Sequence, residues 1–209
     1  MNHLEELIQR YPVLAPCRAS IEAAFRALES CYASGGKLLV CGNGGSAADA
    51  DHIVGELMKA YLRPRRLPAD AAARLRAADP SLGPALAESL QGALPAVNLG
   101  AGGALLSAFG NDVRPELAYA QAAWGYGRRG DVLLGISTSG NAANVRSALA
   151  ACRAAGITTI GLTGRSGGKM AGLCDILVAV PADRTFEIQE LHLPVYHCLC
   201  AMVEERFFP

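Results

Sequence analysis

The sequence predicts an α/β fold, a five-stranded parallel sheet with helices on both faces. Three observations predict it. Five short apolar runs, at residues 38–41, 94–99, 132–137, 157–163 and 174–180, have the length and composition of buried strands. Helical patterns separate them, and strands that alternate with helices build a parallel sheet covered on both sides. Two of the strands, LLVC and VLLGIS, run straight into turns of Gly, Asn, Ser and Thr that open helices. Both turns therefore lie beyond the carboxyl ends of the strands, where ligands of such sheets bind.

A chain of 209 residues is expected to form one domain with a full core. Lys and Arg total 19, as do Asp and Glu, and this balance gives no sign of a nucleic-acid or membrane partner. The cysteines, Cys17, Cys31, Cys41, Cys152, Cys174, Cys198 and Cys200, are odd in number and form no C-x-x-C pair. Several sit in apolar runs, where a free thiol acts as a small hydrophobe. The start, MNHLEELIQRY, lacks a signal-peptide core, and no apolar run approaches the roughly 20 residues that span a bilayer. A reduced, cytoplasmic protein is expected.

In chain order, residues 1–34 carry two helices, near 2–10 and 18–32, interrupted by Pro12 and Pro16. They can pack on the sheet or between subunits. The stretch Lys37 to Tyr61 follows: a strand, the turn Gly42-Asn43-Gly44-Gly45, and a helix with Ser46 as expected N-cap and Asp49 three residues on. Such a helix start suits an anion such as phosphate. Residues 63–92 read as a helical insertion, with helices near 69–78 and 84–91, and Arg63, Arg65 and Arg66 read as a solvated basic turn. After the second strand, a helical stretch leads to a polar turn at Asn111-Asp112, and a helix spans 115–126. The unit at 131–153 repeats the strand, turn and helix design with Ser137, Thr138 and Ser139 added, a phosphate cradle that needs no lysine. Capping preference alone also favours such residues in one turn; two such turns in one chain favour the ligand. The last helix runs from about Thr185 to Phe207, and Pro194 is expected to kink it or to leave the Glu190 carbonyl unpaired.

Gly42-x-Gly44-x-x-Ala47 matches the dinucleotide fingerprint in form, but no second strand ends in an acid about 20 residues on, so NAD is excluded. His52 and Glu56 stand four residues apart on one helix face, as a polar edge, an acid/base pair or part of a metal site. Their place near the anion-binding helix start favours chemistry. Gln189 and His197 are possible partners, and zinc accepts such donors although Gln is an uncommon one. On a straight helix, however, Gln189 and His197 stand about 12 Å apart along the axis.

The motifs GNGGS, D-A-x-H-x-x-x-E-L, ND, STSGN-x-ANV, LTG-x-x-GGKMAG and IQE-x-H-x-x-x-x-H occur in this order. In this the chain resembles the sugar isomerase (SIS) domain family, in its phosphoheptose isomerase branch, over nearly its whole length. The resemblance implies a single SIS domain over 1–209, of the flavodoxin-like doubly wound type. It also implies a homotetramer (or homodimer) that converts sedoheptulose 7-phosphate to D-glycero-D-manno-heptose 7-phosphate for surface heptose synthesis. It gives His52, Glu56, Gln189 and His197 as zinc ligands, with Glu56 and His197 the acid/base residues. Asn43, Gly44, Gly45, Ser46, Glu56, Asn111, Asp112, Ser137, Thr138, Ser139 and Gln189 take the substrate positions.

Three departures bear on the sugar rather than the chemistry. Ala142 stands where the branch has a third serine, Ala60 where it has an arginine for which Arg63 is the candidate substitute, and the segment near 63–92 is longer. The alternative is a non-catalytic SIS phosphosugar-binding regulator, or a partner of the replication initiator DnaA. That branch lacks the carboxylate and histidine that this chain keeps at Glu56 and His197.

Overall fold

The computed structural model describes residues 3–209. Five strands, β1 (Leu38–Cys41), β2 (Ala96–Asn98), β3 (Val132–Ser137), β4 (Thr158–Gly164) and β5 (Ile176–Val180), form one sheet in the order β2-β1-β3-β4-β5. Every neighbouring pair is parallel. The sheet grows outward from β1 in both directions, which makes the β1/β3 border the switch point where a crevice opens. The turns after β1 and β3 flank that border.

Nine helices complete the described chain: α1 (His3–Arg10), α2 (Arg18–Ala33), α3 (Gly45–Met58), α4 (Ala69–Ala78), α5 (Gly83–Ser89), α6 (Gly103–Asp112), α7 (Ala118–Tyr126), α8 (Ala143–Ala154) and α9 (Thr185–Phe207). Successive strand residues alternate between faces. Leu38, Val40, Leu134 and Ile136 pack with α2, α3 and α9, while Leu39, Cys41 and Leu133 pack with α7 and α8. On α3 the buried Ile53 and Leu57 face the first layer, each contributing about 1.5–3 kcal/mol by leaving water. The 63–92 insertion is a pair of helices, α4 and α5, and no α4 residue is buried.

The structure departs from the sequence expectations at several points. The α3 N-cap is Gly44, at φ +55°, with no side-chain cap, and Ser46 lies buried inside the first turn. A residue with a Cβ rarely adopts that φ, so the glycine sets the helix start and the capping box does not form. The segment Asn111-Asp112 ends α6 rather than making a turn. Helix α9 is continuous across Pro194, which has no N–H to donate to the Glu190 carbonyl. The expected solvated basic turn holds for the exposed Arg66 but not for Arg65, whose side chain is fully buried beside Glu204 at 2.7 Å; the half-exposed Arg63 pairs with Glu205 at 2.7 Å. Burial of a guanidinium is tolerable here because its hydrogen bonds all go to a carboxylate or a carbonyl.

His192, on α9, is fully buried, and neither ring nitrogen is hydrogen-bonded within the described residues. Burial pushes its pKa down to about 4, with the Thr163 backbone offsetting little. The ring is therefore neutral in the folded chain, whereas the unfolded chain protonates it near pH 6.5. Stability from this group is complete above pH 6.5. It falls between pH 6.5 and about 4 by roughly 1.4 kcal/mol per unit, because only the unfolded state binds the proton. Urea midpoints measured from pH 7 to 5 should fall less steeply in His192→Leu than in the parent chain, and equal slopes would contradict this assignment.

Candidate functional site

Helices α3 and α9 pack side by side and run in the same direction. Gly45 meets Gln189 near both N-terminal ends; a Cβ at Gly45 would lie 2.3 Å from Gln189 Nε2, so a larger residue there would displace that amide. Farther along, Asp49 and His52 meet Tyr196, and His52 meets His197. The seven residues from Gly45 to His52 and the eight from Gln189 to His197 are nearly matched rises, about 10–12 Å. The site therefore has two stations on one helix pair.

The first station is a cleft of about 350 Å³ at the switch point. Asn43, Gly44, Gly45, Ser46, Ser137, Thr138, Ser139 and Gln189 line it, as do Ala142 and Thr185. The Asn43 side chain is held by a reciprocal amide pair with Asn144, both hydrogen bonds 2.9 Å long. Tyr119 donates to the Gly42 carbonyl at 2.7 Å and fixes the same turn from below. The 164–170 loop braces the second turn: Met170 N–H donates to the Gly140 carbonyl and Lys169 N–H to Asn141 Oδ1. Hydroxyls and helix starts on rigid turns make a neutral anion cradle.

The second station holds the titratable groups. His52 Nε2 lies 3.3 Å from Glu56 Oε1 and 3.5 Å from His197 Nε2. Behind it, His52 Nδ1 lies 3.0 Å from the Tyr196 hydroxyl, which donates to Asp49 Oδ1 at 3.2 Å. With the single Tyr196 proton committed to Asp49, its oxygen accepts Nδ1–H, which fixes the ring with Nε2 facing Glu56 and His197. Burial, and then the neighbouring His52, lower the His197 pKa, against an opposing pull from Glu56, so His197 is neutral near pH 7. His197 also faces a second cavity, of about 340 Å³, between α1 and α9.

Zinc sets nitrogen and oxygen donors at about 2.0–2.2 Å, which puts the edges of a tetrahedral shell near 3.3 Å. The pairs His52–Glu56 and His52–His197 have that spacing, and their donor types suit the ion. They are separate edges, not a closed shell: among the described residues, no set of three or more His, Cys, Asp or Glu side chains is arranged to hold a metal. Gln189 faces the first station instead.

The structure thus joins His52, Glu56 and His197, and gathers Asn43, Gly44, Gly45, Ser46, Ser137, Thr138, Ser139 and Gln189 at the cleft. It does not bring Asn111 and Asp112 there; they are exposed and hydrogen-bond to each other. Arg63, engaged with Glu205, does not line the cleft either. Sequence reasoning assigned no site role to Tyr196, Asp49, Asn144 or Thr185. Asn144 and Asp49 lie inside the quoted motifs and Tyr196 adjoins His197, so their position in the motifs was the available signal; Thr185 gave none.

Comparison with known proteins gives the family. The family model described as SIS domain matches residues 11–82 and 85–164. The chain is 38% identical to the phosphoheptose isomerase of Rhodospirillum rubrum over 192 residues, covering 92% of this chain and 88% of that one. It is 39% identical to that of Pelobacter propionicus over 207 residues, covering 98% and 92%. The solved phosphoheptose isomerase from Francisella tularensis superposes with a TM-score of 0.77 at 30% identity, covering 96% and 94% of the two chains. The chain belongs to the SIS domain family, in its phosphoheptose isomerase branch.

Proposed function

We propose that this chain is an aldose–ketose isomerase that converts sedoheptulose 7-phosphate to D-glycero-D-manno-heptose 7-phosphate through an enediol. The observation that carries it is the two-station site: Glu56 and His197, joined through His52, lie about two helical turns from a neutral anion cleft on the same helix pair. The open-chain sugar phosphate places its phosphate against Ser137, Thr138 and Ser139 and its C1–C2 end toward Glu56.

Glu56 takes the C1 proton of the ketose, the C1–C2 double bond of the enediol forms, and the C2 carbonyl oxygen gains a proton from His197. His197 then takes the proton from O1, Glu56 returns its proton to C2, and the C1 aldehyde results. The C1 proton has moved to C2, and His197 ends as it began. His52, oriented by Tyr196 and Asp49, stands between the two groups, 3.3 Å from Glu56 and 3.5 Å from His197. A zinc ion held by His52, Glu56 and His197 would supply polarisation of the carbonyl. The His52–Glu56 and His52–His197 spacings support this, whereas Gln189 lines the phosphate cleft instead. A ligated His197 has no free lone pair, so in each cycle its metal and base roles exclude each other.

A homotetramer is proposed as well, supported by the exposed apolar side chains of Val113, Trp124 and Tyr126. Among the described residues no helix is long and apolar enough to cross a membrane. All seven cysteines are free thiols, which supports a reduced, cytoplasmic setting for surface heptose synthesis.

Purified protein should interconvert the two heptose 7-phosphates. Glu56→Gln and His197→Ala should each lower kcat/KM by roughly 10²–10⁴-fold while melting within a few degrees of the parent. Near-normal turnover in either variant would remove it from the mechanism, and a parent inactive with the seven-carbon ketose would leave the non-catalytic regulator. The depressed His197 pKa places the acid limb of kcat/KM below pH 6.5, so activity should already be level at pH 7; an acid limb centred above pH 7 would contradict neutral His197. Dialysis against a chelator should abolish turnover and zinc should restore it, whereas full activity of metal-free protein would exclude the ion.

A further inference from the structure

Arg65 and Glu204 face one another with side chains 0% and 1% exposed, Nε to Oε1 2.7 Å. The rest of the guanidinium serves α3: Nη2 donates to the Glu56 carbonyl at 2.8 Å and Nη1 to the Leu57 carbonyl at 2.5 Å. The chain leaves α3 at Lys59 in extended backbone (φ −137°, ψ 175°), so these last-turn carbonyls have no helical donor. Glu204 in turn accepts the backbone N–H groups of Tyr61, Leu62 and Arg63 at 2.7–3.1 Å. The Phe208 ring covers the guanidinium, 4.9 Å away. Two side chains thus satisfy five backbone groups across the exit from α3.

Glu56 sits in that last turn, and Glu204 lies two turns beyond His197 on α9. The pair is therefore the covering link between the backbone that carries one acid/base group and the helix that carries the other. As an ion pair alone it would add little, because replacing a buried ion pair by apolar side chains of similar volume is often neutral or stabilising; its particular contribution is to the five backbone groups. What an apolar pair cannot do is hold carbonyls and amides in fixed directions.

We propose that Arg65 is a positioning residue for the isomerase, fixed by Glu204 and acting through the Glu56 main chain to hold the Glu56 carboxylate against His52 and His197. This rests on the isomerase function given above. An error of about 1 Å in the placement of a reacting group can cost on the order of 100-fold in rate, so a frayed last turn is sufficient to slow the proton transfer. The phosphate cleft, at the other end of α3, stays intact.

The test is the double variant Arg65→Met/Glu204→Leu beside Arg65→Lys, which keeps the charge but cannot make the three directed contacts. Both should show kcat at least ~10-fold below the parent with KM for sedoheptulose 7-phosphate within about two-fold. Amide exchange should speed up more at residues 55–58 than in the rest of the chain, with both variants still folded at the assay temperature. Parent-like kcat with parent-like exchange, in whichever variant folds, overturns the proposal. A loss that appears as raised KM, or exchange that speeds up throughout the chain, marks a purely structural role and overturns it too. If the parent itself does not isomerise the sugar, the isomerase function fails, and the exchange measurement alone still decides whether Arg65 holds the Glu56 turn.

Discussion

The packing of α3 on α9 in parallel is the constraint on which the rest of the structure depends. Buried Ile53 and Leu57 on one helix and Val195, Leu199 and Val203 on the other belong to the same apolar layer. That layer fixes the axial register of the two helices, and the register decides which polar groups meet: Gly45 with Gln189, Asp49 and His52 with Tyr196, His52 with His197. A slip of one residue would rotate each partner by about 100° and separate every pair. The chemistry is thus set by apolar burial that lies beneath it.

The sheet supplies the other half of the arrangement. Because β1 and β3 are neighbours and their connections leave in opposite directions, two turns converge at one crevice without any long loop. Each turn is braced from outside the site, the first by Tyr119 and Asn144, the second by the 164–170 loop. No lysine or arginine lines the cleft. The cation beside the Glu56 carboxylate is Lys59, whose Nζ lies 3.4 Å from Oε2.

Much of this was legible in the sequence, and what was not has physical causes. The strands could be read because short apolar runs bounded by Gly and Pro leave few alternatives, although β2 shrinks to Ala96–Asn98 at the sheet edge. His52 and Glu56 could be paired because helical spacing is local. The α3 cap was misplaced because the positive φ of Gly44 is a property of the folded turn, and Ser46 has the composition of a cap without its geometry. Arg65 was misread because its partner lies 139 residues away, and an arginine among prolines shows no sign of the carboxylate that receives it. The role of Tyr196 was hidden for the same reason, since both of its polar partners belong to α3. Local spacing is written in the chain; the meeting of distant helices is not.

The central claim is that one helix pair holds the phosphate end and the carbonyl end of the same sugar at two separate stations. A crystal structure of the Glu56→Gln variant with sedoheptulose 7-phosphate measures this directly. The phosphate should lie against Ser137, Thr138 and Ser139, with C1 and C2 within reach of residue 56 and His197 and the carbon chain following α3 and α9. A sugar bound with its phosphate in the cavity between α1 and α9, or with its carbonyl end turned away from residue 56, would contradict the account.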